Sequence, residues 1–291
     1  MSEPELEPRP FSAGEEPTLY GEAVGEGPPV VLCHGLTATR EQVLHGSLAL
    51  ARRGHRVVQY DARGHGESDP ASPEQSYDYP SLVPDLESVI SATIGAGRFV
   101  LGGHSMGSHT AVAYALERPE RVAGLVVIGP VYPGRVDPAV EEEALARWDE
   151  LADGLEGGGV DGFLEALERQ GIDPTWRDAV LRFTRARMEA HRHPEAVARA
   201  LREVPRSRPF DTIDELEFLD LPALVVASHD VADPGHPYAV AEAYAARLPQ
   251  ARRVSEDEGE APLAWKGGLL SREIAGFCAG PAVAGRLEQA A

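Results

Sequence analysis

Cysteine is scarce in this sequence, which has only Cys33 and Cys278 among its 291 residues. Two cysteines cannot form the disulfide framework on which many small secreted domains depend. Cys33 ends an apolar run typical of a strand, and Cys278 lies in an apolar helical pattern. We therefore interpret both as buried thiols of a protein that works in a reducing compartment, the cytoplasm.

Positive charge is also limited, with 27 Lys and Arg against 47 Asp and Glu, a net charge of −20. This balance disfavours nucleic acid or an anionic membrane as a partner and leaves a small molecule as the expected one. No apolar run approaches the roughly 20 residues that span a bilayer. Residues 1–16 are acidic and Pro-rich and lack the apolar segment of a signal peptide, so we predict a disordered tail there.

Motifs for cofactors are missing too. The sequence has no Gly-x-Gly-x-x-Gly after a first strand, no P-loop, and no Cys or His set at metal-ligand spacing. His191 and His193 are two residues apart, which on a helix points them in different directions. We expect neither a cofactor nor a metal.

The most informative stretch that is present contains Ser105. An apolar strand pattern from Phe99 leads into Gly-His-Ser-Met-Gly at 103–107, and a helical pattern follows directly. A serine on such a tight strand-to-helix turn needs glycine two residues before and after it, because side chains there would clash. This arrangement predicts Ser105 as a nucleophile.

Two backbone N–H groups are candidates to stabilise negative charge beside Ser105. The helix that begins at Met106 points its N-terminal N–H groups back at the serine. Upstream, an apolar strand ends in His34, Gly35 and Leu36, the usual position of a second such donor, here the N–H of Leu36. Met106 and Leu36 are therefore the predicted oxyanion hole.

A third motif, Asp-Ala-Arg-Gly-His-Gly-Glu-Ser at 61–68, lies between these two. The three motifs, in this order and at this spacing, resemble the α/β-hydrolase superfamily. The resemblance implies an α/β fold, with a mostly parallel central sheet flanked by helices and built from residues 17–132 and 213–291. It also implies that Asp61, Arg63 and Gly64 brace their loop rather than take part in catalysis.

The pattern of strands stops after residue 128 and resumes at 221. Strands are predicted at 18–24, 28–33, 54–60, 122–128, 221–228 and 251–256, with helices at 40–53 and 237–248 and at the C-terminus. Between them, residues 135–210 show only helical stretches, at 139–151, 160–170, 174–190 and 194–204. This region resembles the inserted helical cap of many members of the superfamily, so we assign a cap to residues 133–212.

The substrate is expected to lie between the cap and the three motifs. Predicted substrate contacts near the serine are His34, Gly35 and His104, and Trp176 is predicted to contribute from the cap. Other polar or aromatic cap residues that could face a substrate are Trp148, His191, His193, Arg206 and Arg208.

The catalytic triad that the resemblance implies is incomplete. The acid of the triad fits Asp233, with Asp230 as the alternative. The last loop, where the family carries its catalytic histidine, has Glu260, and no histidine follows His236. An unperturbed carboxylate, with a pKa of about 4.3, is a weak base at neutral pH, whereas an imidazole can both accept and return a proton.

Three interpretations therefore remain open. In the first, the chain is a serine hydrolase of esters or related acyl compounds whose base is His236, or else His191 or His193 from the cap. In the second, the fold performs a non-hydrolytic reaction, such as a lyase, cyclisation or proton-transfer step, with Glu260 or His236. In the third, the chain is a catalytically inactive binding protein.

Overall fold

The structure, a computed structural model, describes residues 6–135, 137–229, 235–257, 260 and 262–289. Strands and helices alternate along most of the chain. The strands are β1 Arg9–Ala13, β2 Leu19–Val24, β3 Pro29–Cys33, β4 Arg56–Tyr60, β5 Phe99–His104, β6 Val122–Ile128, β7 Pro222–Val226 and β8 Gln250–Val254. The helices are α1 Tyr79–Thr93, α2 Met106–Glu117, α3 Pro138–Arg169, α4 Arg177–Glu189, α5 Pro194–Glu203, α6 Tyr238–Arg247, α7 Gly267–Cys278 and α8 Pro281–Glu288.

The strands form one eight-stranded sheet in the order β1-β2-β4-β3-β5-β6-β7-β8. β2 pairs antiparallel with both of its neighbours, β1 and β4, and all other pairs are parallel. The mostly parallel α/β fold that we predicted is therefore confirmed. Because β3 pairs with both β4 and β5, the strand order reverses beside it, and ligands bind at such reversals in parallel sheets.

Alternate residues of the central strands are buried on opposite faces of the sheet. Val31 and Leu101 belong to one apolar cluster, which also contains buried residues of α1 and α2. Val30 and Val100 belong to a second cluster, with buried residues of α7 and α8. Burial on both faces explains why these strands are continuous apolar runs.

The predicted disordered tail is wrong for the residues that form β1. Arg9–Ala13 pairs antiparallel with β2, with Phe11 opposite Gly21. A side chain on Gly21 would lie 2.5 Å from the ring of Phe11, so the strand packs closely on its neighbour. Backbone pairing overrides the acidic, Pro-rich composition that suggested disorder.

The predicted helix at 40–53 is also wrong. Only two short 3₁₀ turns form, at Arg40–Gln42 and Ala51–Arg53. Between them His45 has a φ of 49° and Gly46 a φ of 70°, and positive φ angles are incompatible with a right-handed helix.

Residues between β6 and β7 form only helical elements and connecting loops within the described part of the chain. The gap between the helical stretches predicted at 139–151 and 160–170 corresponds to a sharp turn inside α3, where Gly159 has φ 60° and ψ −147°. The two halves of α3 lie against each other, since the side-chain amide of Gln170 donates to the carbonyl of Arg147 and Arg169 pairs with Glu150.

Hydrogen bonds fasten this helical region to the loop before α1. Glu203 of α5 accepts from the N–H of Tyr77 at 2.9 Å, and Ser207 accepts from the N–H of Tyr79 at 3.0 Å. Arg199 donates to the carbonyl of Gln75 at 2.9 Å. None of the helices described is both long enough and apolar enough to cross a bilayer.

Candidate active site

Ser105 lies on a strained turn between β5 and α2. Its φ of 53° and ψ of −118° lie in a region that residues other than glycine rarely adopt. A Cβ on Gly103 would approach the carbonyl carbon of Gly107 to 2.3 Å, and one on Gly107 would approach the oxygen of Cys33 to 2.2 Å. Both glycines are therefore sterically required. The turn leaves Ser105 half-buried at the carboxyl end of the central strand β5.

The backbone of neighbouring elements holds this turn in place. The N–H of Ser105 donates to the carbonyl of Ile128 at the end of β6, at 3.0 Å. Its carbonyl accepts from the N–H of Ser108 at 2.9 Å and from the Ser108 hydroxyl at 2.6 Å. The strain is thus compensated by hydrogen bonds on both sides of the serine.

The loop after β3 lies directly against Ser105. A Cβ on Gly35 would be 3.4 Å from the Cβ of Ser105, so a glycine lets the two segments pack closely. Leu36 follows and is buried. Within the described residues, neither the N–H of Leu36 nor that of Met106 has a protein acceptor. Two N–H groups flanking the serine are thus available to a ligand.

His34 holds this loop with both of its ring nitrogens. Its Nε2 accepts from the N–H of Ala62 at 2.8 Å, so Nδ1 carries the proton and donates to the carbonyl of Gly35 at 2.8 Å. Burial lowers the pKa of His34 to about 3 and keeps the ring neutral. Both ring nitrogens of His34 therefore have backbone partners, and its contact with substrate stays a prediction.

Asp61 is the centre of the adjoining loop. Its fully buried carboxylate accepts from the N–H of Arg40 at 2.8 Å and from the N–H of Glu67 at 3.1 Å, and forms an ion pair with the guanidinium of Arg40. Arg63 forms a two-bond ion pair with Asp85 at 2.6 and 2.7 Å. Through these contacts Asp61 and Arg63 hold the loop after β4 in place, which is the role that the resemblance implied for them.

Three aromatic side chains converge beside the nucleophile. The ring centroid of His104 lies 4.9 Å from that of His236 and 6.0 Å from that of Trp265. Together with Gly129 they line a cavity of about 10 Å³, whose other lining residues are Val226, Ser228 and Ala264. A Cβ on Gly129 would come within 3.2 Å of the His236 ring. The cavity has room for about one water molecule and adjoins the residue before Ser105, although Ser105 itself is not among the lining residues.

Glu256 is a buried carboxylate that belongs to none of the motifs noted in the sequence. It follows β8 and accepts from the Ser228 hydroxyl at 2.8 Å, from the N–H of His229 at 2.5 Å and from the N–H of Leu263 at 2.9 Å. Burial alone would raise the pKa of Glu256, but these donors outweigh it and lower the pKa. Glu256 thereby ties the end of β7 to the segment that carries Trp265.

The other predicted residues are either outside the described part of the chain or exposed. Asp233 and Asp230 lie outside the described residues. Glu260 is exposed, and its N–H donates to the carbonyl of Asp257 at 3.0 Å. Trp176, just before α4, is 44% exposed. Within the described residues, its indole makes no ring contact with His104 or Trp265.

The two histidines of the helical region are engaged elsewhere. The ring of His191 is buried between backbone groups of Gly66 and Thr37, at 3.0 and 3.1 Å. His193 lies 3.4 Å from the carboxylate of Glu195 on α5. His191 therefore has no ring nitrogen left to act as a base. His236, whose ring packs against that of His104 next to Ser105 in the chain, stays the candidate base.

Comparison with known proteins finds relatives of part of the chain. An sn-1-specific diacylglycerol lipase of Mus musculus is 40% identical over 102 residues, which are 35% of this chain and 32% of the lipase. Epoxide hydrolase B of Mycobacterium tuberculosis is 36% identical over 110 residues, 38% of this chain and 31% of that enzyme. The alignments thus span about a third of the length of these curated relatives.

A similar fold is found among solved structures. A thermophilic esterase from Thermogutta terrifontis aligns over 93% of this chain and 97% of its own, with a TM-score of 0.73 and 24% identity. At this identity the likeness concerns the fold alone. The family model of the alpha/beta hydrolase fold matches residues 28–267, which is most of the sequence. The chain therefore belongs to the alpha/beta hydrolase fold family.

Proposed function

We propose that this protein is a serine hydrolase that cleaves a carboxylic ester or a related acyl compound through Ser105. The observation that carries this proposal is the strained turn at Ser105, flanked by two N–H groups, of Leu36 and Met106, that have no acceptor within the described residues. Backbone strain of this kind persists where function requires it, and unpaired donors beside a nucleophile suit a developing oxyanion.

His236 is the proposed base. Its ring contacts that of His104, the residue before the nucleophile, and it lines the same small cavity. The engagement of His191 with backbone groups also favours His236. We propose Asp233 as the acid that orients the imidazole, on the basis of the family resemblance and of its position three residues before His236.

The reaction follows from these roles. As Ser105 Oγ attacks the carbonyl carbon, its proton passes to His236, and the N–H groups of Leu36 and Met106 stabilise the oxyanion. His236 then returns the proton to the alcohol oxygen as the carbon–oxygen bond breaks, which leaves an acyl group on Ser105. Water, activated by the same imidazole, releases the acid and regenerates the serine.

The setting that we propose is the cytoplasm, with a small molecule as substrate. Both cysteines are free and buried, and burial raises the pKa of each thiol to about 12, so that both stay protonated. The charge of −20 disfavours nucleic acid as a partner.

Covalent labelling tests the proposal directly. Diethyl p-nitrophenyl phosphate should phosphorylate Ser105 Oγ with loss of p-nitrophenolate, and mass spectrometry of peptides should locate the group on Ser105. Ser105→Ala should prevent labelling, whereas Ser91→Ala, at an exposed serine of α1, should not. An unlabelled wild-type protein that also lacks esterase activity would refute the proposal and favour the non-hydrolytic or the binding interpretation.

Trp265 is expected to limit the size of the acyl group. It lines the cavity of about 10 Å³ and contacts the half-exposed ring of Phe183 on α4, 5.2 Å away. Removing the indole should open the cavity. The ratio of kcat/KM for p-nitrophenyl octanoate to kcat/KM for p-nitrophenyl acetate should therefore rise by about 10-fold in Trp265→Ala, the effect of a few buried methylenes. Phe218→Ala, at a ring that is 81% exposed, should leave the ratio unchanged.

A further inference from the structure

Three buried histidines contact three consecutive carbonyl groups of the loop that carries Leu36. His34 Nδ1 lies 2.8 Å from the oxygen of Gly35, His65 Nε2 lies 2.5 Å from the oxygen of Leu36, and His191 Nε2 lies 3.1 Å from the oxygen of Thr37. The rings also contact one another, with centroids 5.2 Å apart for His34 and His65 and 5.5 Å apart for His65 and His191. The loop is therefore held on one side by imidazole rings.

His191 differs from the other two because it comes from the helical region between α4 and α5. Its Nδ1 accepts from the N–H of Gly66 at 3.0 Å, so the proton is on Nε2, which donates to the carbonyl of Thr37. The next N–H, of Arg192, donates to the carbonyl of Gly66 at 2.9 Å. One ring thus joins the helical region, the loop containing Gly66 and the loop containing Leu36.

The charge state of the ring agrees with this bonding. Burial, followed by the nearby His65, His34 and Arg187, lowers the pKa of His191 to about 3, although the bond to Thr37 opposes this. The imidazole is therefore neutral at neutral pH, with one donor and one acceptor nitrogen. Both are matched by backbone groups, as a buried polar side chain requires.

Holding the carbonyls also orients the N–H groups of the same loop. In a trans peptide the N–H points opposite to the preceding C=O, so the bonds that fix the Gly35 carbonyl also direct the N–H of Leu36. The carbonyl of Gly35 accepts from Ala38 as well, at 2.9 Å. Rotation of the peptides at Leu36 or Thr37 would disturb this orientation, and their carbonyls are the ones that His65 and His191 hold.

We propose that His191 is a positioning residue, which holds the loop of Leu36 in the conformation that stabilises the oxyanion and so makes hydrolysis depend on the placement of the helical region. This inference rests on the proposed function. His191 touches no reacting atom and acts through Thr37 and Gly66. The helical region would thus contribute to transition-state stabilisation as well as to covering the substrate.

Kinetics of p-nitrophenyl butyrate hydrolysis test this role. His191→Ala should lower kcat by about 10- to 100-fold, the cost of a displaced oxyanion donor, with little change in KM. His191→Gln should restore most of kcat, because its amide N–H can reach the carbonyl of Thr37. His55→Ala is the matched control, since it removes another buried imidazole, one that precedes β4 at the amino ends of the parallel strands, away from Ser105. Melting temperatures should show that each variant is folded.

Two results would overturn the proposal: a folded His191→Ala variant with wild-type kcat, or a loss that His191→Gln does not reduce. A spectroscopic measurement is independent of activity. Histidine ¹⁵N shifts should show a neutral His191 ring protonated on Nε2 at pH 7, and Leu36 and Thr37 amide exchange should be faster in His191→Ala.

The proposed function and this inference fail in different ways. Absence of Ser105-dependent hydrolysis in the wild type would refute the function alone. A His191 ring that titrates near its ordinary pKa of about 6.5, or amide exchange unchanged by His191→Ala, would refute the positioning role whatever the activity.

Discussion

Replacing Ser105 with alanine is expected to reduce p-nitrophenyl butyrate hydrolysis on the order of 10⁴-fold or more, because no hydroxyl remains to form the acyl intermediate. His236→Ala should cost about 10²–10⁴-fold, the usual contribution of a general base. The two residues act as one unit, so the double variant should be no slower than Ser105→Ala. Initial rates with the purified variants measure all three effects.

Glu260→His provides the discriminating control for this experiment. If His236 is the base, a histidine at the exposed position 260 should leave the rate unchanged. An increase with Glu260→His, together with an active His236→Ala variant, would contradict the role of His236 and locate the base in the last loop. Equal rates for the wild type and Ser105→Ala would contradict the hydrolase proposal itself.

Asp61→Ala is expected to cause the largest loss of stability near the site. The substitution leaves the guanidinium of Arg40 without its buried partner and removes the acceptor of two backbone N–H groups. Breaking a buried ion pair by removing one partner costs about 3–5 kcal/mol. Urea denaturation followed by circular dichroism should show this decrease in the free energy of unfolding.

An exposed ion pair supplies the comparison. Asp153 pairs with Arg202 at 2.7 Å, but its side chain is 71% exposed, so Asp153→Ala should cost no more than about 1 kcal/mol. Asp61→Asn keeps an acceptor for one N–H while its amide group faces the guanidinium, so its cost should be intermediate. Equal stability of Asp61→Ala and Asp153→Ala would show that the Asp61 contacts do not stabilise the fold.

The sheet and the turn at Ser105 could be predicted because their signals are local. Strands β3, β5, β6 and β7 are continuous apolar runs, since both of their faces are buried, and such runs are visible in the sequence. Glycine is required on both sides of Ser105 because a Cβ at Gly103 or Gly107 would lie 2.3 or 2.2 Å from backbone atoms, which is too close for any side chain. Such a steric requirement can be recognised in the sequence as the pattern Gly-His-Ser-Met-Gly at 103–107.

Local patterns failed where distant backbone decided the conformation. Composition predicted that residues 1–16 are disordered, but Arg9–Ala13 within them pairs with β2 and forms the outermost strand of the sheet. A helical pattern covered residues 40–53, but the strained backbone at His45 interrupts it, and the ring of His45 packs 5.4 Å from that of Trp265. In both places, contacts made after folding outweighed local propensity.

The sequence by itself determined the family, the tight turn at Ser105 and the absence of any histidine after His236, because each of these is a residue type at a set spacing. Only the tertiary structure decided what each remaining histidine does. His191 and Gly66 are 125 residues apart in the chain, and their hydrogen bond forms only when the helical region packs on the loop after β4. The His191 ring, buried against two backbone groups, is neutral and supports the loops around it, whereas the His236 ring packs against His104, the residue before Ser105.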